Sequence, residues 1–163
     1  MMSIPSWLPA LFNVTSWDHT TYDSLYEIFH NGFIANRTYH YKIPGGFSRD
    51  KEDGKEKTFW HVTTRDDKHN SARLPDFRRC ERLPWLKPIL ENPTKQEVLA
   101  WEYTEGDGTL KVYVWLKDHD YVAIMKKTKK GGLILLTAYW LEYNNAKKKL
   151  MKKYDARNKK ANA

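Results

Sequence analysis

Residues 97–141, EVLAWEYTEGDGTLKVYVWLKDHDYVAIMKKTKKGGLILLTAYWL, decide the fold. Over residues 109–117, Leu110, Val112, Val114 and Leu116 alternate with Lys111, Tyr113 and Trp115, the period of two that marks a half-buried β-strand. Turn residues flank it, Gly106-Asp107-Gly108 before and Asp118-His119-Asp120 after. Strands are therefore predicted over residues 97–104, 109–117 and 121–126. After the connection KKTKKGG comes GLILLTAYWL, a continuous apolar run expected of a central strand covered on both faces. Four consecutive strands with short connections make an antiparallel meander.

The residues upstream read as helices. Tyr22, Leu25, Tyr26, Phe29 and Phe33 fall at helical spacing, with Gly32 as a stop, and the plain reading is a core-packing helix. Residues 49–57 are charged at eight of nine positions and follow Pro44-Gly45-Gly46, which predicts a solvated, mobile loop. Pro75 opens a second helix, with Ser71 four residues ahead of it and Asp76 in its first turn. Phe77, Cys80 and Leu83 share the arc expected to face the core, and Arg78 and Arg82 point the opposite way. Pro84 ends this helix or begins a short one carrying Trp85, Ile89 and Leu90. A lysine-rich helix follows from about Glu142. The fold class is α+β: N-terminal helices packed on one side of a four-stranded antiparallel meander sheet, with a basic helix and tail over residues 142–163. A chain of 163 residues fits one such domain.

The net charge of +8 and pI near 9.4 favour an anionic partner. The charge is unevenly placed, because residues 141–163 hold seven Lys and one Arg against Glu142 and Asp155, and so supply +6 of the +8. A lone cysteine, Cys80, excludes an internal disulfide framework and suits a reducing cytosol. No apolar run approaches the length of a membrane span, and the N-terminus, with two prolines and no basic stretch, is a poor signal peptide. A soluble cytoplasmic protein without membrane contact is expected.

Chemistry concentrates in residues 59–85, FWHVTTRDDKHNSARLPDFRRCERLPW. Arg73, Arg78, Arg79 and Arg82 crowd into ten positions, where planar guanidinium groups suit bidentate contacts to phosphate. They fit surface ion pairs with Asp66, Asp67, Asp76 and Glu81 equally well. His61, beside them, carries the side chain that titrates near neutrality. Thr137 and Tyr139 interrupt the apolar strand on the face of Leu133 and Leu135, either as satisfied core residues or as hydroxyl donors beneath a phosphate. Tyr121 and Lys126 lie near enough to join such a site, although both can serve only if a bulge intervenes. No phosphate-binding glycine loop, HExxH or cysteine pair is present, and the acids are scattered, so neither metal nor cofactor is expected. A metal-free ribonuclease needs a base for the 2′-OH proton, cations for the charge on phosphorus and an acid for the leaving oxygen. His61, Arg78, Arg82, Thr137 and Tyr139 are the candidates for those roles. Arg73, Arg79, Tyr121, Lys126, Lys148 and Lys152 are the candidate RNA-binding residues.

The runs FWHVTTR, RLPDFRRCERLPWLKPILEN, WLKDHDYVAIM and LILLTAYWLE with a basic helix after it resemble an uncharacterised bacterial and prophage family. That family is similar to the barnase–EndoU–colicin–RelE-like superfamily of ribonuclease folds, often encoded beside a small DNA-binding antitoxin. The resemblance covers the chain from Trp7 to about Tyr154. It implies helices followed by a four-stranded antiparallel sheet, with His61, Arg78 and Arg82 supplied by the helical region and Thr137 and Tyr139 by the sheet's concave face. The function it implies is a metal-independent endoribonuclease, the toxin of a toxin–antitoxin pair, cleaving tRNA or mRNA. Two other readings compete: a non-catalytic RNA-binding module, and a phage protein that binds a host protein through its aromatic surface.

Overall fold

The computed structural model describes residues 3–66, 69 and 73–158, so Asp67, Ser71 and the end of the basic tail lie outside the described residues. Asp18 accepts a hydrogen bond from the Thr21 amide and caps helix α1, His19–Phe29. Gly32 does not stop this helix. It sits inside a π-helical turn, His30–Ile34, that carries the chain on and buries Phe33. The short strands β1, Tyr39–His40, and β2, Ile43–Phe47, come next, followed by β3, Lys51–Glu52, and β4, Lys55–Glu56. Helix α2, Lys57–Thr63, leads directly into β5, Thr64–Asp66, which pairs with β6, Arg73–Pro75. Helix α3 spans Phe77–Glu91. The remaining elements are β7, Val98–Thr104, β8, Leu110–Leu116, β9, Tyr121–Lys127, β10, Leu133–Trp140, and helix α4, Asn144–Asp155.

The fold is α+β, but the main sheet has six strands and not four, in the order β1-β2-β10-β9-β8-β7. Strands β7 to β10 run antiparallel in sequence order, and β2 then adds parallel to β10, with Gly45 opposite Leu133 and Phe47 opposite Leu135. The sequence of β2 hides this pairing, because proline and glycine ordinarily argue against a strand. Gly46 is close to the limit of what fits there, since a Cβ would stand 3.4 Å from the Leu133 carbonyl oxygen. The charged stretch at residues 49–57 contains the hairpin β3–β4 and not an open loop. Asp53 and Gly54 both take positive φ, 52° and 79°, the conformation of a tight hairpin turn that Asp-Gly favours.

Helices cover both faces of the sheet. Leu25, Phe29, Phe59, Cys80, Leu83, Leu86 and Ile89 pack with Val114, Ala123, Met125 and Leu135 on one face. On the other, Leu150 of α4 packs with Trp101, Tyr113, Trp115 and Val122. The expected two-layer arrangement is thus three layers, with the basic helix alone on its own side.

Helix α3 runs through Pro84 and Pro88 without a break, against the prediction that Pro84 ends it. Each proline removes a backbone hydrogen bond at a cost of about 3 kcal/mol. Full burial of a large apolar side chain returns about 1.5–3 kcal/mol, and Trp85, Leu86, Ile89 and Leu90 all lie at 1% exposure or below. Packing therefore wins over the local signal. Asn92 reinforces the end by donating to the Pro88 carbonyl at 2.8 Å.

Candidate nucleic-acid interface

The candidate site forms where the ends of α2 and α3 meet the second half of β10. Strand β2 borders β10 only as far as Leu135, so residues beyond it have no strand on that side. A bulge between Leu135 and Thr137 changes the alternation: Leu135 lies opposite Met125, and Thr137 opposite Ile124. Thr137 therefore does not share the face of Leu133 and Leu135. Its hydroxyl donates to the His61 carbonyl oxygen at 3.0 Å, so it anchors α2 to the sheet and is not a free phosphate donor. Tyr139 packs with the cluster on the α4 side, half-buried, and burial raises its phenol pKa above the ordinary value.

The arginines divide into two kinds. Arg79 donates to the carbonyl oxygens of His61 and Thr64, each at 2.7 Å, and its guanidinium stands 5.5 Å from the centre of the Tyr139 ring. It closes the C-terminal end of α2 and is a structural cation, not a freely presented RNA contact. Asp76, which N-caps α3 by accepting from the Arg79 amide, also lies 3.3 Å from Arg79 Nε. Arg82 does not project into solvent, its side chain being only 13% exposed. Its guanidinium lies 5.6 Å from the Trp85 ring and 5.7 Å from the Trp140 ring, because the buried arc of α3 centres on Leu83, Leu86 and Leu90 and draws its flank onto the sheet. Phe77, expected in the core, is 54% exposed. It occupies the first helical position, beyond the sheet, and rests on Trp17 at 5.4 Å.

Arg78 is the exposed member. It pairs with Glu81 at 3.3 Å and stands 5.3 Å from the Trp140 ring. Beside it a cleft of about 410 Å³ is lined by Arg65, Pro75, Phe77, Arg78, Trp140 and Glu142, together with Asp76. Arg65 makes no ion pair among the described residues.

His61 belongs to α2, not to a strand, and its Nδ1 is 3.5 Å from Arg73 Nη1. Burial first, and then the positive charge of Arg73, lower its pKa below the usual imidazole value. Arg73 is itself held by Glu52 at 2.9 Å and Asp66 at 3.5 Å. Surface ion pairing thus accounts for part of the arginine cluster.

Tyr121 faces the helical layer opposite Trp140 and is fully buried. Burial raises its phenol pKa, and the neighbouring charges of Arg79 and Arg82 oppose that rise. Tyr121 Oη, Arg79 Nε and Arg82 Nε are buried polar atoms that find no hydrogen-bond partner among the described residues. Lys126 is not part of this group. It lies exposed on the other face, opposite Lys111 and Ile134. Lys148 and Lys152 are exposed on α4, away from the helical layer.

The structure therefore brings together His61, Arg73, Arg79, Thr137 and Tyr139 at the edge of β10, and Arg78, Arg82, Tyr121 and Trp140 on its helical face. Arg82 and Tyr139 lie on opposite sides of the strand. Trp140 and Arg65 were missed in the sequence and Phe77 was assigned to the core, although the arginines and aromatics around 77–85 were a signal for a stacked surface there. Among the described residues no cluster of three or more His, Cys, Asp or Glu side chains has the arrangement of a metal site. No described helix is long and apolar enough to cross a membrane. No family model matches the sequence, and no curated protein or solved structure is similar to it.

Proposed function

We propose that this chain acts on RNA as a metal-independent endoribonuclease, with His61 as the base and the arginine-rich end of β10 as the phosphate site. The observation that carries this reading is the pair of buried polar atoms without a hydrogen-bond partner on Arg82 and Tyr121, beside the structural cation Arg79. Leaving a buried donor without an acceptor costs about 1–3 kcal/mol, a penalty with no structural return at this position. An anionic oxygen drawn between the Arg82 guanidinium and the Tyr121 phenol relieves it and receives charge stabilisation. A histidine with a lowered pKa is neutral at physiological pH, the state a base needs to accept the 2′-OH proton. The resemblance in sequence motifs points to the same activity, and a toxin role with a small DNA-binding antitoxin is part of this proposal. The parallel strand β2 and the far-side helix α4 depart from the four-stranded pattern of that superfamily.

Cleavage by this route is expected to survive EDTA, to leave 2′,3′-cyclic phosphate and 5′-hydroxyl ends, and to vanish in His61→Ala. Loss of cleavage on chelation, or 5′-phosphate products, overturns the mechanism. The non-catalytic RNA-binding reading has its own support in the Phe77–Arg78–Trp140 cleft, where the exposed Phe77 ring beside guanidinium groups suits base stacking. RNA retained without cleavage by the unaltered chain decides in its favour.

A further inference from the structure

At the opposite end of β10, its pairing with β2 creates a second groove of about 520 Å³, within the range of small-ligand sites, which runs from about 300 to 1000 Å³. Phe33, Phe47 and Leu133 contribute its apolar lining, and Arg37 and Arg49 stand on its margins. Both arginines are exposed, and neither makes an ion pair among the described residues. The Arg49 guanidinium stands over the Phe47 ring, 5.5 Å from its centre, so a cationic plane and an aromatic ring are held together at one margin of the groove. Gly45, Gly46 and Gly132 keep the strand-edge wall free of side chains. The groove is separate from the residues around His61.

We infer that this groove binds a segment of single-stranded RNA, its arginines on phosphates and its aromatic lining against a base. An acidic peptide matches the charge, but its anionic residues, Asp and Glu, carry no ring to stack on the aromatic lining. A nucleotide segment matches both features, because base–aromatic stacking and phosphate pairing act on adjacent parts of one unit. The inference rests on the proposal that the chain acts on RNA, and it assigns that RNA a holding site distinct from the site of cleavage.

The test measures binding of a fluorescent oligouridylate as a function of salt for the unaltered chain, Arg37→Ala/Arg49→Ala and His61→Ala. The double variant is expected to bind at least about tenfold more weakly. The slope of log K against log salt should fall by about 1.4, since each lost phosphate contact on a single strand removes about 0.7. Arg37→Lys/Arg49→Lys should restore most of the salt slope, and an unchanged melting temperature excludes misfolding. Unchanged affinity and slope in the double variant overturn the groove while leaving the cleavage proposal intact. Weakened binding together with an unaltered chain that does not cleave upholds the groove and overturns the cleavage proposal. Failure of the unaltered chain to bind RNA overturns both. Binding of polyglutamate, but not RNA, that is lost in the double variant identifies an acidic protein partner and also overturns the inference.

Discussion

His61 shows how much a few neighbours decide about one side chain. Burial and the Arg73 guanidinium lower its pKa from the ordinary 6.5, while Asp66 and Glu52 oppose them. The folded chain therefore binds a proton at His61 less readily than the unfolded chain. Its contribution to stability is complete above the unfolded value and is lost as pH falls through the lower folded value. The same sign governs the proposed catalysis: a histidine with a pKa lowered from 6.5 stays neutral to lower pH, so the acid limb of cleavage should lie below that value. Removing Arg73 takes away a charge that disfavours the imidazolium and frees Glu52 and Asp66, which favour it. Both changes raise the pKa. An NMR titration of the His61 ring should show a midpoint below 6.5 that moves upward in Arg73→Ala, with the acid limb following it. A midpoint that stays in place, or moves down, would show that Arg73 does not set it.

At the scale of elements, Arg79 and Arg78 are adjacent in sequence and have different work. Arg79 closes α2 by donating to two backbone carbonyl oxygens and packs on Tyr139, whereas Arg78 reaches into solvent over Trp140. Thr137 still donates to His61 O when Arg79 is gone, so the Thr64 carbonyl is the one stranded. Arg79→Ala should cost about 2–4 kcal/mol in denaturant unfolding, from one stranded acceptor, lost packing and the lost ion pair with Asp76. Arg78→Ala should change stability by less than about 0.5 kcal/mol, as an exposed side chain away from such features does. Equal losses in the two variants would refute the division. The segments of β7 to β10 were legible because their period of two is strong and their turns are marked by Gly and Asp. The strand β2 was not, since Pro44-Gly45-Gly46 carries no pattern and forms only through its parallel partner. The helical wheel of α3 found Cys80 and Leu83 but misjudged Phe77 and Arg82, because the buried arc is fixed by Trp85, Leu86 and Ile89, which the supposed break at Pro84 had set apart. The bulge in β10 moved Thr137 to the other register, and nothing in LILLTAYW announces an extra residue.

For the whole molecule, the three-layer arrangement sorts the lysines of α4 into two groups. Lys147 pairs with Asp120 at 2.9 Å, and Lys153 with Glu105 at 3.0 Å, which binds the helix to both ends of the sheet. Lys153 also donates to the Tyr113 hydroxyl, which donates in turn to Glu105. Burial alone lowers the pKa of Lys153, but these hydrogen bonds outweigh it and leave the ammonium favoured, while burial and Glu105 push the Tyr113 phenol up to about 12. Lys148 and Lys152 are exposed and make no ion pair among the described residues. Their charge remains available to a polyanion on the face opposite the proposed cleavage site. Lys153→Met should therefore lower the melting temperature by several degrees, because about 1–3 kcal/mol is lost with Glu105 and Tyr113 left half-paired, and each kcal/mol shifts a chain of this size by about 2–4 °C. Lys148→Glu/Lys152→Glu should leave the melting temperature unchanged while weakening RNA binding and flattening its salt dependence. The two readouts must separate. A charge-reversed variant that melts early, or a Lys153→Met variant that melts normally and loses RNA, would mean that the helix is sorted the other way, with its outward lysines structural and its inward one presented to the ligand.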